Sequence, residues 1–165
     1  MKLTKFLPIP LIVGVLAFLW MVVSAQYNLL AWVAFITWGA YFLAGINTRS
    51  AVREAVSFTL GIIFGWVIVV VGTALTPSLG TYAFPVTVGL AGFTIVLLEL
   101  VPWFDMAPGY FLGAAAFFAA GAKPEVGTFM SVWVPGMLGL ALGVLTGYLR
   151  GMVFSAGGSK DPLQK

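Results

Sequence analysis

The sequence predicts an all-α membrane protein of six transmembrane helices, arranged as two inverted three-helix repeats. Three observations carry that expectation. The chain is 61% hydrophobic and 8% charged, with a mean hydropathy of +1.08, far outside the balance of a soluble domain. Six apolar stretches approach the roughly 20 residues of helix needed to cross a hydrocarbon layer of about 30 Å. Three of those stretches also recur, in order, as the other three. Residues 31–45 (AWVAFITWGAYFLAG) and 107–121 (APGYFLGAAAFFAAG) align without a gap at an offset of 76, sharing Ala31/Ala107, Phe35/Phe111, Ala40/Ala116, Phe42/Phe118, Ala44/Ala120 and Gly45/Gly121. Upstream, Pro10-x-x-Val13-Gly14-x-x-x-Phe18 matches Pro85-x-x-Val88-Gly89-x-x-x-Phe93 at an offset of 75. Downstream, Leu60-Gly61-x-x-x-Gly65 matches Leu138-Gly139-x-x-x-Gly143 at an offset of 78. An odd number of crossings per repeat sends the second copy in from the opposite side, an arrangement common among channels and carriers.

Taken in order, the first helix is expected over Phe6–Ser24. Its opening MKLTKFLPIPLIVGVLAFLWMVVSAQ has the lysines and apolar run of a secretory signal peptide. It also repeats the motif of the fourth helix, so it is expected to remain part of the fold. The second helix, Tyr27–Ile46, carries the first copy of the repeated segment and places Trp38 deep. The third, Ala55–Leu75, follows Arg53-Glu54, where an exposed or structural role is expected, and holds Gly61, Gly65 and Trp66. The fourth, Phe84–Val101, has Glu99 about one turn inside its end. The fifth, Ala107–Ala122, opens on Pro108-Gly109, with Asp105 expected to cap it. The sixth, Val126–Leu149, is expected to be interrupted at Pro135-Gly136, because proline lacks an amide donor and clashes with the preceding turn.

Short connections imply antiparallel neighbours and one bundle. The expected organisation is a single domain over residues 1–154, with repeat one at about 6–75 and repeat two at about 84–149, followed by a cytoplasmic tail, 155–165. Lys2, Lys5, Arg49, Arg53, Arg150, Lys160 and Lys165 fall on the side of both termini, against Lys123 alone on the other. That bias predicts cytoplasmic termini. It also accounts for the net charge of +3 and the pI near 9.4 without a nucleic-acid partner.

Cysteine and histidine are both absent, which removes disulfides, thiolate nucleophiles and imidazole acid–base chemistry. No enzyme activity, metal or cofactor is expected. The polar groups that remain suit a pathway for a small, polar, largely uncharged solute, amide- or urea-like in character. Gly109, Gly113, Pro135 and Gly136 would form its narrow part, because an interrupted helix exposes backbone dipoles and glycine leaves room. Trp38, Trp66, Phe111 and Phe118 would wall it. Glu99 would stand at its cytoplasmic mouth, since an ionisable group inside a crossing marks a pathway by default. The first half lacks both Pro-Gly pairs, having Trp32-Val33 and Thr59-Leu60 at the places aligned with them.

The glycine stripes serve helix packing first, because close backbone approach drives association in lipid. Their extent predicts a homo-oligomer, a trimer or other small ring, embedded in membrane lipid. The alternative function is a non-catalytic accessory or scaffold subunit of a membrane complex, with the same stripes as docking faces.

Over Pro108-Gly109-Tyr110-Phe111-Leu112-Gly113-Ala114-x-Ala116-x-Phe118-Ala119, and again at Trp38-Gly39-Ala40-Tyr41-Phe42, the chain resembles the YcdZ-like bacterial inner-membrane proteins, a family defined as a domain of unknown function. The resemblance runs from about Ile12 to Leu149. It implies a bacterial inner-membrane location and a multi-helix fold, and it brings no assigned activity.

Overall fold

The computed structural model describes residues 6–156 together with Gly158 and Asp161. Lys2, Lys5, Lys160 and Lys165, four of the charges behind the expected orientation, lie outside the described residues, as does most of the expected tail. The helices are α1 (Pro8–Gln26), α2 (Ala31–Leu43), α3 (Thr48–Leu79), α4 (Ala83–Leu97), α5 (Ala107–Ala119) and α6 (Val126–Ala156), with tight helical turns at Gly80–Tyr82 and Leu98–Leu100. All regular structure among the described residues is helical, as the composition predicts.

Three stretches are long and apolar enough to cross a membrane: Pro8–Gln26, Thr48–Leu100 and Val126–Ala156. Helices α2 and α5 are shorter than expected, at 13 residues each. At 1.5 Å per residue they span about 20 Å, short of the hydrocarbon layer of about 30 Å. Both end on an Ala-Gly pair. Gly45 (φ +86°) and Gly121 (φ +104°) adopt the left-handed conformation that stops a helix, so the apolar run continues past the point where the helix ends. Helix α3 begins earlier than expected because Asn47 caps it, its Oδ1 accepting the Ser50 amide at 2.8 Å.

The interruption expected at Pro135 is absent. Helix α6 runs through Pro135, which is fully buried. Proline removes only its own amide bond, and the flanking apolar residues have no better way than helix to satisfy their backbone in a lipid surround. Proline at the second position of α5 is a helix start, with the Gly109 amide donating to the Met106 carbonyl at 3.0 Å.

The chain divides into two compact units. Unit 1 holds residues 1–51 and 135–165, and unit 2 holds residues 52–134. Most of α3 thus packs with α4 and α5, while α6 from Pro135 onward packs with α1 and α2.

In unit 2, α3 and α4 form a hairpin. The Phe84 ring lies where a methyl group on Gly72 would meet it at 2.8 Å. Twelve residues of straight helix would hold those positions about 18 Å apart, so the chain reverses at Gly80–Tyr82. Ile95, Ala107 and Tyr110 form the core, flanked by Leu60, Phe64 and Leu98. The α3–α5 seam is closed by glycine. A Cβ on Gly61 would fall on the Tyr110 carbonyl, one on Gly113 on the Phe58 carbonyl, and one on Gly65 within 2.8 Å of the Phe117 ring.

In unit 1, the Trp20 indole N–H donates to the Ala31 carbonyl at 3.0 Å, tying α1 to the start of α2. The α2–α6 seam is again closed by glycine. A Cβ on Gly139 would fall on the Ala34 carbonyl, one on Gly143 would meet Tyr41 at 3.0 Å, and one on Gly147 would strike Ile46. The Thr37 hydroxyl donates to the Gly136 carbonyl at 2.7 Å. Arg150 makes two 2.8 Å bonds to Asp161.

The contacts of the two units correspond residue by residue. With the offset of 76 for α2/α5 and 78 for α3/α6, Gly61 on Tyr110 answers Gly139 on Ala34, Gly65 on Phe117 answers Gly143 on Tyr41, and Gly113 on Phe58 answers Thr37 on Gly136. The buried positions Glu54, Ser57, Phe58, Gly61, Ile62, Gly65 and Ile68 of α3 each map onto a buried position of α6: Val132, Pro135, Gly136, Gly139, Leu140, Gly143 and Thr146. In this register Pro135-Gly136 corresponds to Ser57-Phe58, which corrects the Thr59-Leu60 alignment. Even the loops agree. Asn28 (φ +51°) and Trp103 (φ +74°), 75 residues apart, share the left-handed conformation.

Candidate functional site

The α3–α5 seam of unit 2 encloses a carboxyl group. Residues 54, 57, 58, 61 and 65 share one helical face, the face on which α3 buries its glycines, and this spacing carries Glu54 into the seam. Glu54 is 0% exposed. Neither carboxyl oxygen has a hydrogen-bond partner. Its surroundings are built by close approach. A Cβ on Gly109, in the first turn of α5, would fall on the Ser57 hydroxyl and stand 3.3 Å from Glu54 Oε2. Ser57 turns its own proton away, donating to the Arg53 carbonyl at 2.8 Å.

The neighbouring charges pair with each other, leaving Arg53 Nε and Asp105 Oδ1 buried without a partner. Arg53 Nη2 pairs with Asp105 Oδ2 at 2.7 Å, both side chains only about a quarter exposed (26% and 28%). Asp105 is thus an ion-pair partner and not the expected cap of α5, whose first turn has no side-chain cap. The Tyr110 hydroxyl donates to the Phe104 carbonyl at 3.1 Å. Burying an unpaired carboxyl is costly. At the repeat offsets Glu54 aligns with Val132, which lies in unit 2 itself, while Ser57 and Gly109 align with Pro135 and Val33 of unit 1.

The residues expected from the sequence to form a pathway are divided between the units. Gly109 and Gly113 meet α3 in unit 2, but they meet its backbone and Ser57, so both act as packing glycines. Phe111 and Phe118 lie on the exposed side of α5, and Trp66 is half-buried on α3. Glu99 is exposed in the turn after α4. Arg53 pairs with Asp105, and Arg150 with Asp161. In unit 1, Trp38 is buried and stacks on Phe35 at 6.1 Å between ring centroids. The two rings line an apolar cavity of about 240 Å³ with Val13, Ala17, Gly39 and Phe42. Pro135 and Gly136 are buried in the same unit, with the Gly136 carbonyl taken by Thr37. Among the described residues no group of acidic side chains could hold a metal ion.

Glu54 sits beside Arg53 at a helix start, a place where the sequence suggests an exposed or structural role. The missed signal was periodicity: Glu54 lies seven residues before Gly61, two turns along the glycine face.

A family model described as protein of unknown function (DUF1097) matches residues 10–153. The chain belongs to that family. The match takes in every residue of both seams, so the paired architecture lies within the DUF1097 region. Comparison with curated proteins and with solved structures found no match.

Proposed function

We propose that this DUF1097 protein is a multi-pass membrane channel or transporter for a small, polar, largely uncharged solute, amide- or urea-like in chemistry. The observation that carries this reading is the doubled seam: two units, each closed by matched glycine contacts, each taking its long helix from the other half of the sequence. Duplicated helix sets of this kind are the usual scaffold of membrane carriers, with solute sites built where the copies differ. Here the copies differ at Glu54, Ser57 and Gly109. On this reading the six helices are two inverted repeats, and the short α2 and α5 complete their crossings with flanking loop residues.

The narrower placement among the YcdZ-like proteins, the bacterial inner membrane and cytoplasmic termini belong to the same proposal. It includes a homo-oligomer, a trimer or small ring. The exposed apolar faces of α1 and α4 support a surround of lipid or neighbouring subunits.

Stopped-flow swelling of proteoliposomes with urea, formamide, glycerol and ammonia tests the function. Faster entry of one solute class than in protein-free vesicles supports transport. Equal rates for all of them reject it and leave the accessory-subunit reading. Cysteine placed singly at Asn28 and at Lys123 of this cysteine-free chain tests topology by labelling in sealed vesicles.

A further inference from the structure

We propose that Glu54 is a proton-binding site whose occupancy holds the α3–α5 seam closed. This stands on the fold alone and does not depend on the transport reading. The size of the site selects the ligand. Gly109 lies so close that a single methyl group would fall on Ser57, so neither a solute nor a hydrated ion fits beside the carboxyl, while a proton does. Within the protein both Glu54 oxygens lack a donor and Ser57 donates to the Arg53 carbonyl; Arg53 pairs with Asp105 through Nη2, and its Nε is buried without a partner. The ionisable groups beside Glu54 on α3, on α5 and in the loop before α5 are Arg49, Arg53, Asp105 and Tyr110. Helix α4 and residues 126–134 of α6 carry none.

A carboxylate enclosed in such a seam, with no protein donor on its oxygens, is costly, and the neutral acid is the species favoured there. Loss of the proton leaves an unsolvated charge against the first turn of α5. Separation of α3 from α5 then admits water to it.

The experiment uses protein in lipid bilayers, labelled with ¹³C at the glutamate side-chain carboxyl, in a Glu99→Gln/Glu125→Gln variant. This leaves Glu54 as the single glutamate without disturbing the buried site. The wild type, with its two exposed glutamates as internal references, is measured alongside. We expect the Glu54 carboxylic-acid signal to persist well above the ordinary glutamate range of about pH 4 to 5 and to convert to carboxylate only at higher pH. Amide exchange in the first turns of α5 should rise with that conversion, and the rise should vanish in Glu54→Gln. A carboxylate signal at neutral pH, reached in the ordinary glutamate range of about pH 4 to 5, overturns the proton site. Exchange in α5 that ignores the titration overturns its link to the seam.

Discussion

In unit 1 the buried face of α2 presents Ala34, Thr37, Trp38 and Tyr41; in unit 2 the buried face of α5 presents Tyr110, Gly113, Ala114 and Phe117 at the same four places. Bulk has moved from position to position while the path of the backbone has not. Where unit 1 puts a threonine hydroxyl on a carbonyl, unit 2 brings two backbones together over a glycine. The positions that do not vary are Gly61/Gly139 and Gly65/Gly143, where the partner is a backbone carbonyl or a ring stem that cannot retreat. The comparison separates architecture from specialisation. Matched glycines build the seams, and Glu54 is an addition to one of them.

Four sets of variants would break or sharpen this comparison. The largest effect belongs to the shared glycines. Gly61→Leu and Gly139→Leu should each destabilise by about 3 kcal/mol or more, because the side chain must displace a carbonyl. Unfolding midpoints and monodisperse yield in detergent measure it. Tolerance of one and not the other would end the equivalence of the seams.

The next contrast is between the ion pairs. Arg150–Asp161 is the more enclosed, with side-chain exposures of 12% and 0% against 26% and 28% for Arg53–Asp105. Arg150→Ala should therefore lower the unfolding free energy by about 3 kcal/mol. Arg53→Ala should lower it by about 1 kcal/mol. A reversed order would place the structural clamp in unit 2.

Thr37→Val keeps the shape of α2 and deletes its bond to Gly136. A loss of about 1 kcal/mol is expected in the same unfolding assay. No change would mean that unit 1, like unit 2, is held by close packing without the hydroxyl.

The smallest effect is expected on the outside. Phe18 and Phe93 occupy the same place in the repeated motif and are 68% and 65% exposed. Phe18→Ala and Phe93→Ala should each change unfolding by no more than about 0.5 kcal/mol. Size-exclusion with light scattering sharpens the point. A drop in particle mass for one variant alone would identify that helix as a subunit contact, and the two exteriors would differ as the two seams do.

Much of this was legible in the chain. Composition dictated helices, because lipid leaves backbone groups no partner but one another, and the paired segments 31–45 and 107–121 each proved to hold a helix, though both stop at a glycine that the expected helices ran through. The glycine stripes announced tight seams. What the residues could not disclose is which helix each stripe meets. Gly61 and Gly139 look alike in sequence, and nothing local says that the first packs on α5 and the second on α2, since helix pairing is a contest among distant surfaces decided by the whole fold. For the same reason Pro135 reads as a break in isolation and stands as continuous helix in its seam. Glu54 reads as an exposed or structural group at a helix start until Gly109 is brought against it. Sequence alone determined the helical class and the placing of the apolar segments, through solvent and local geometry. Tertiary structure alone decided the exchange of long helices and the enclosure of one carboxyl group, because both depend on contacts between residues far apart in the chain.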